Sequence, residues 1–362
     1  MTTKQGPTNQ DVPIAAPLVE VRRGAITESR HRGHIAAVDP DGHVLAQLGV
    51  PGTVTFLRSS CKPHQAIPLL SSGAADHFGF TEKEIAVACG SHSGEAIHTA
   101  AVSSMLQKVG LDKSALKCGI HEPFSPEVAR QLRESGSQPD VLQNNCSGKH
   151  AGMLALALHL NASTEDYDQP ENPAQILIGK VVAQFSGVPV EDISIGIDGC
   201  GVPVFGITVR AMAQMYARLV SPPPGFDEKT REACKRIVKA MINHPEMVGG
   251  TEERLDTELI RAARGQLISK VGAEGVYTVA VLPSADWPQG FGLALKIEDG
   301  EDRRARPTVV IEALRQLGVL KDESLEAVAS YAFFPVTNRR GDVVGEVRPA
   351  FKLERAPRNV GA

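Results

Sequence analysis

The 362-residue chain has no excess of positive charge: 38 Lys and Arg stand against 42 Asp and Glu, for a formal net charge of −4. The basic residues are dispersed among acidic ones and form no stripe, which argues against a nucleic-acid partner and leaves a small molecule as the better expectation. No apolar run reaches membrane-spanning length, and Met1 to Pro17 is polar with no hydrophobic segment inside it. Neither a membrane span nor a secretory leader is therefore expected, and the chain reads as cytoplasmic. A disulfide framework is also missing. Six cysteines, Cys61, Cys89, Cys118, Cys146, Cys200 and Cys234, fall at irregular spacings in a large chain, a pattern that favours free thiols, metal ligands or catalysis. Eleven histidines include no HExxH pair. The glycine-rich stretches Gly196-x-x-Gly199-x-Gly201 and Gly272-x-x-Gly275 lack the Lys-Ser/Thr of a phosphate loop and read as tight turns or close backbone approaches. No internal repeat or linker divides the chain.

What is present is a core-sized apolar fraction and well-marked local signals. Residues 1–16 carry Pro7 and Pro13 amid polar residues and read as a loose arm; residues 17–355 read as one unit with an α/β part and a helical part, and 356–362 as a tail. Strand-like stretches at Leu18 to Val21, His34 to Val38 and His43 to Leu48 come first, the last two joined at Asp39-Pro40-Asp41-Gly42. The charged segment Arg22 to Gly33 reads as a solvated connection or a wall of a polar cleft. Thr81-Glu82-Lys83-Glu84 is a capping box, and Ser125-Pro126 with Gly136 brackets another helix. Ile193 to Ile197 alternates as a buried strand that delivers Asp198-Gly199-Cys200-Gly201. Further strands are expected at Leu267 to Lys270, Tyr277 to Leu282, Phe291 to Ile297 and Val343 to Val347. The fold class is thus α/β of the α+β type: a central, mainly antiparallel sheet built from both chain ends, with helices around it and a helical insertion.

Three groups carry chemistry. In Ser59-Ser60-Cys61-Lys62 a serine precedes a lysine by one helical turn, so a desolvated amine could take the hydroxyl proton; an ordinary helix start with a surface lysine fits the same four residues. Lys270-Val271-Gly272 is a Lys-x-Gly strand end of the kind that faces such a pair. In Asn144-Asn145-Cys146-Ser147-Gly148-Lys149-His150, with Ser147 as the expected N-cap, a cysteine and a lysine lie at a helix start where a thiolate is stabilised. Cys146, Lys149 and Cys200 could bind a metal or could be buried thiols beside a helix-end lysine.

Taken in order, these motifs resemble one family, the inducible, thermolabile L-asparaginases of the Rhizobium etli type. The resemblance runs from about Leu18 to about Leu353 and is carried by Val21-Arg22-Arg23-Gly24, Arg58-Ser59-Ser60-Cys61-Lys62-Pro63, Cys89-Gly90-Ser91-His92-Ser93-Gly94-Glu95, Asn144 to His150, Asp198 to Pro203, His244-Pro245-Glu246-Met247-Val248-Gly249-Gly250 and Lys270 to Val276. It implies hydrolysis of L-asparagine to L-aspartate and ammonia, a fold similar to serine β-lactamases and penicillin-binding proteins, and a homodimer. It further implies Ser59 with Lys62 and Ser91 with Lys270 as catalytic pairs, and Cys146, Lys149 and Cys200 as zinc ligands. On that reading Ser59 attacks the amide carbon, backbone N–H groups at the Ser59 helix start receive the oxyanion, and zinc orients the substrate. Arg58, His64 and Asp198 are candidates for recognising the substrate zwitterion, each equally fit to be a structural ion-pair partner. The rival expectations are a zinc-bound water nucleophile, a thiol mechanism through Cys200, and an amino-acid-binding protein without catalysis.

Overall fold

Nine strands form a sheet in the computed structural model, which describes residues 14–356. Most of the expected N-terminal arm and nearly all of the C-terminal tail lie outside the described residues. In chain order the strands are β1 Ala16–Arg23, β2 Ile26–Val38, β3 Val44–Leu48, β4 Val54–Phe56, β5 Ser194–Ile197, β6 Pro203–Thr208, β7 Leu267–Val271, β8 Val276–Val281, β9 Phe291–Ile297, β10 Phe334–Thr337, β11 Val343–Pro349 and β12 Glu354–Arg355. The large sheet runs β10-β11-β1-β2-β9-β8-β7, with β3 on the second half of β2 and β12 beyond it. Its pairings are antiparallel and join the two chain ends, for example Val21 to Val347. This is the mixed α/β architecture with an antiparallel sheet that the sequence pattern implies.

Alternation along the strands decides what packs on each face. Ile35 and Ala37 enter one core cluster, while Ala36 and Val38 enter the other. One face is bulky, with Leu293, Leu295 and Ile297 of β9 beneath the Ala305–Leu317 helix. The opposite face is small, with Ala36, Ala280, Gly292 and Ala294, so the Val209–Val220 helix can press on it closely. A Cβ at Gly292 would lie only 1.8 Å from the Ala213 carbonyl oxygen. Between β4 and β7 come the helices of the insertion, and several begin where the sequence marks them. Thr81 Oγ1 accepts from Glu84 N while Glu84 Oε2 accepts from Thr81 N at 2.6 Å, and Ser125 caps the Pro126–Ser135 helix, which ends at Gly136 with φ +68°.

Three local expectations change. Arg22 to Gly33 is no loop: it is the turn of a β1–β2 hairpin, tightened at Gly24 (φ +55°), and most of the leading half of β2. The Ile193 to Ile197 strand is an exposed edge of a separate three-stranded sheet, β4-β6-β5, with Ile195 and Ile197 56% and 65% exposed. Ser147 is the first residue of its helix and Cys146 the N-cap, because Asn144 Oδ1 accepts from Cys146 N at 2.8 Å and the Ser147 hydroxyl donates to Leu142 O. No helix among the described residues is long and apolar enough to cross a membrane.

Candidate active site

Two lysines from distant segments converge on one hydroxyl, that of Ser91. The short 3₁₀ helix Arg58–Cys61 passes directly into Lys62–Gln65, where Pro63 is tolerated in the first turn. Lys62 is fully buried, and its Nζ lies 2.9 Å from Ser91 Oγ, 2.7 Å from Gly90 O and 3.1 Å from Asn145 O. From the far side β7 delivers Lys270, also fully buried, with Nζ 2.9 Å from Ser91 Oγ and 3.1 Å from Val271 O. Ser91 sits in the loop before the Ala96–Lys108 helix, 2% exposed, between two lysines. Burial lowers the affinity of both amines for a proton, bringing Lys270 to about 7 even though Asp256 works in the opposite direction. A neutral lysine beside a hydroxyl is a competent base near neutral pH.

The loop that carries Ser91 is fastened from behind by the stretch His244 to Gly250 and by Arg254. Ser91 N donates to Val248 O at 2.8 Å, and a Cβ at Gly90 would meet Met247 O at 2.6 Å. Arg254 donates to Ser91 O, Ser93 Oγ and Gly249 O. Nothing in the spacing of Arg254 and Asp256 distinguishes them in the sequence from ordinary residues at a helix start; only the fold brings them to the site.

Ser59 is half-buried one turn ahead of Lys62 and so is more open than Ser91 to an incoming substrate. Its N–H does not face outward as expected of an oxyanion donor, since it points to Leu57 O at 2.8 Å. The end of β7 closes against this segment: a Cβ on Gly272 would lie 2.9 Å from Leu57 O. Arg58, held at φ +59°, turns its Nε to Asp198 Oδ1 at 3.0 Å, and Glu274 lies 3.9 Å from its Nη1. His64 does not join this group. Its ring is buried edge-on between Phe185 and Tyr216, with Nε2 3.0 Å from Met215 O, and burial takes its pKa down to about 4. Two residues apart on a helix, Lys62 and His64 face opposite ways, so the expectation of a substrate contact at His64 is corrected to a core role.

Cys146, Lys149 and Cys200 come together beside Lys62. Lys149 Nζ is 3.0 Å from Cys200 Sγ, the Cys200 thiol donates to Asp198 Oδ2 at 3.7 Å, and both thiols are buried. The neighbouring Cys200 thiol and the amines of Lys62 and Lys149 hold the Cys146 thiol far below its ordinary range, whereas Cys146 and burial push the Cys200 thiol upward. Burial opposes the charge on Lys149, but the sulfurs and Asp198 outweigh it and raise its pKa. Two soft sulfur donors and an amine, buried and convergent, suit a zinc-like ion that would displace these protons. The tight Asp198 to Gly201 turn, with Gly201 at φ +89°, presents Cys200 to the Cys146 helix.

Two buried lysines thus share the Ser91 hydroxyl, and Ser59 precedes Lys62 by one turn. The profile of the family described as L-asparaginase II matches residues 19–349, and the chain belongs to that family. It is therefore an amidohydrolase. Among solved structures, the chain is similar to a probable glutaminase from Bacillus subtilis complexed with 6-diazo-5-oxo-L-norleucine, at 12% identity and a TM-score of 0.39, covering 79% of this chain and 84% of that one. It is also similar to the native form of Mglu, at 14% identity and a TM-score of 0.43, covering 85% and 68% of the two chains. No curated protein matches the chain.

Proposed function

We propose that the chain hydrolyses L-asparagine to L-aspartate and ammonia by acyl transfer to a serine. Ser59 Oγ attacks the side-chain amide carbon while Lys62 takes its proton; the C–N bond breaks, and the same proton completes the leaving ammonia. Water then attacks the ester carbonyl, its proton passes back through Lys62, and the Ser59 Oγ–acyl bond breaks to free aspartate. Ser91 and Lys270 extend the relay that returns Lys62 to its neutral form. The observation that carries acyl transfer to a serine is the placement of Lys62 and Lys270, both desolvated, each 2.9 Å from Ser91 Oγ; Ser59 is preferred as nucleophile because it is the more open serine, one turn ahead of Lys62.

That same observation favours a second reading, in which Ser91 is the first nucleophile and Ser59 assists. Trapping the enzyme with an electrophilic asparagine analogue and locating the adduct by peptide mass spectrometry separates them: the adduct on Ser59 supports the first reading, on Ser91 the second, and on Cys200 neither.

Arg58 and Asp198 are suited to the substrate carboxylate and ammonium. Cys146, Lys149 and Cys200 would hold a zinc ion, which when bound supplies a fixed positive charge and Lewis acidity at the substrate's α-amino or α-carboxylate end. The preference for asparagine over glutamine is a matter of one methylene and is worth about 1–3 kcal/mol in a fitted pocket. We also propose a homodimer, tested by sedimentation of the full chain.

A further inference from the structure

We infer that Asp256 is a positioning residue for this reaction: its buried carboxylate holds the Lys270 amine against the Ser91 hydroxyl. The inference rests on the assignment of Lys270 to the proton relay. Asp256 Oδ2 lies 3.7 Å from Lys270 Nζ, the two side chains being 1% and 0% exposed, so water cannot screen the pair. Lys270 thus meets a hydroxyl at 2.9 Å on one side and a carboxylate on the other. The other charged or titratable groups around it are Lys62, Arg254, Cys146 and Cys89. Without Asp256, Lys270 would face Lys62 and Arg254 with no carboxylate against it.

A second feature argues for more than charge neutralisation. Asp256 Oδ1 is buried and has no hydrogen-bond partner, although a carboxylate gains most when both oxygens are bonded. The Tyr277 hydroxyl, 3.1 Å from Ser269 Oγ, also stands against the Asp256 carboxylate, whereas the Tyr216 hydroxyl, within range of its charge, donates to Ser60 O. The one full charge paired with this carboxylate is Lys270, at 3.7 Å. The chain position fits. Arg254 and Asp256 flank the start of the Leu255–Ala262 helix, where Arg254 fixes the carbonyl of Ser91 and Asp256 faces the lysine that touches its hydroxyl.

The test is the pH dependence of ammonia release from L-asparagine by wild type, Asp256→Asn, Asp256→Glu and Lys270→Met, across about pH 5–10. Removing the carboxylate makes Lys270 easier to deprotonate, so the acid limb of the Asp256→Asn profile should move to lower pH by about one unit or more. In that variant kcat should fall with KM little changed, and Asp256→Glu should restore part of the limb. A purely structural Asp256 would lower thermal stability and leave the limb in place; a folded Asp256→Asn enzyme with the wild-type profile overturns the inference. If Asp256→Asn does not fold, Asp256→Ser carries the test in its place, and a folded Asp256→Ser enzyme with an unmoved limb overturns the inference. Full activity in Lys270→Met would instead bring down the relay reading itself, a result distinct from failure at Asp256.

Discussion

Arg58 Nε lies 3.0 Å from Asp198 Oδ1, so the two side chains suited to opposite ends of a zwitterion are paired with each other. With Arg58 29% exposed, the pair is open to exchange: a substrate ammonium can replace the guanidinium at Asp198, and a substrate carboxylate can take the freed Arg58. Asp198→Asn and Arg58→Ala should each raise KM for L-asparagine on the order of tenfold or more while lowering kcat less, in steady-state kinetics. Equal loss in kcat with unchanged KM would assign the pair to the scaffold.

Lys270 sets an expected pH dependence. It acts as a base only when neutral, and desolvation lowers its pKa to about 7, so kcat should rise as pH increases through that value. The sign is fixed by the direction of the shift: an unperturbed lysine would put the rise several units higher. A flat profile between about pH 6 and 9 would remove Lys270 from the rate-determining proton transfers.

The packing of the Val209–Val220 helix on β9 predicts an intolerant position that itself carries no functional group. Gly292→Ala places a methyl 1.8 Å from Ala213 O and 2.6 Å from Ala217 N, both backbone atoms. The helix has to lift from the sheet, costing about 1–3 kcal/mol or more of stability. Thermal unfolding should show a clear drop in Tm, and an unchanged Tm would contradict the close helix–sheet contact.

Zinc, if held by Cys146, Lys149 and Cys200, should appear at about one ion per chain in elemental analysis, as four-coordinate sites require only one open position. Cys146→Ser and Cys200→Ser should each lose the ion and weaken asparagine binding. Metal-free protein with full activity and unchanged KM would remove the ion from substrate positioning.

The parts of this molecule that were legible in sequence are those whose cause is local. Thr81 with Glu84, and Ser125-Pro126 with Gly136, announce helix ends because caps are made within a turn of chain. The sheet drawn from both termini was legible from strand patterns at each end. The β1–β2 hairpin was not, because the leading half of β2 is solvent-facing and charged and so lacks an alternating apolar face. Ile195 and Ile197 alternate like buried residues but lie on an edge, where neighbours, not pattern, decide exposure. Ser59, Lys62, Ser91, Lys270, Cys146, Lys149 and Cys200 could be named from motifs. That Lys62 touches Ser91, that Arg58 and Asp198 pair, and that Asp256 backs Lys270 are relations between segments up to 140 residues apart, which spacing cannot express.

The central claim is tested most directly by ammonia release from L-asparagine with wild type, Ser59→Ala and Lys62→Ala, each with and without a metal chelator. The account predicts a fall in kcat on the order of 10³-fold or more for both variants in either condition, because nucleophile and base are lost together with the acyl route. Full activity in Ser59→Ala, abolished only by the chelator, would contradict it and point to a metal-bound water as the nucleophile.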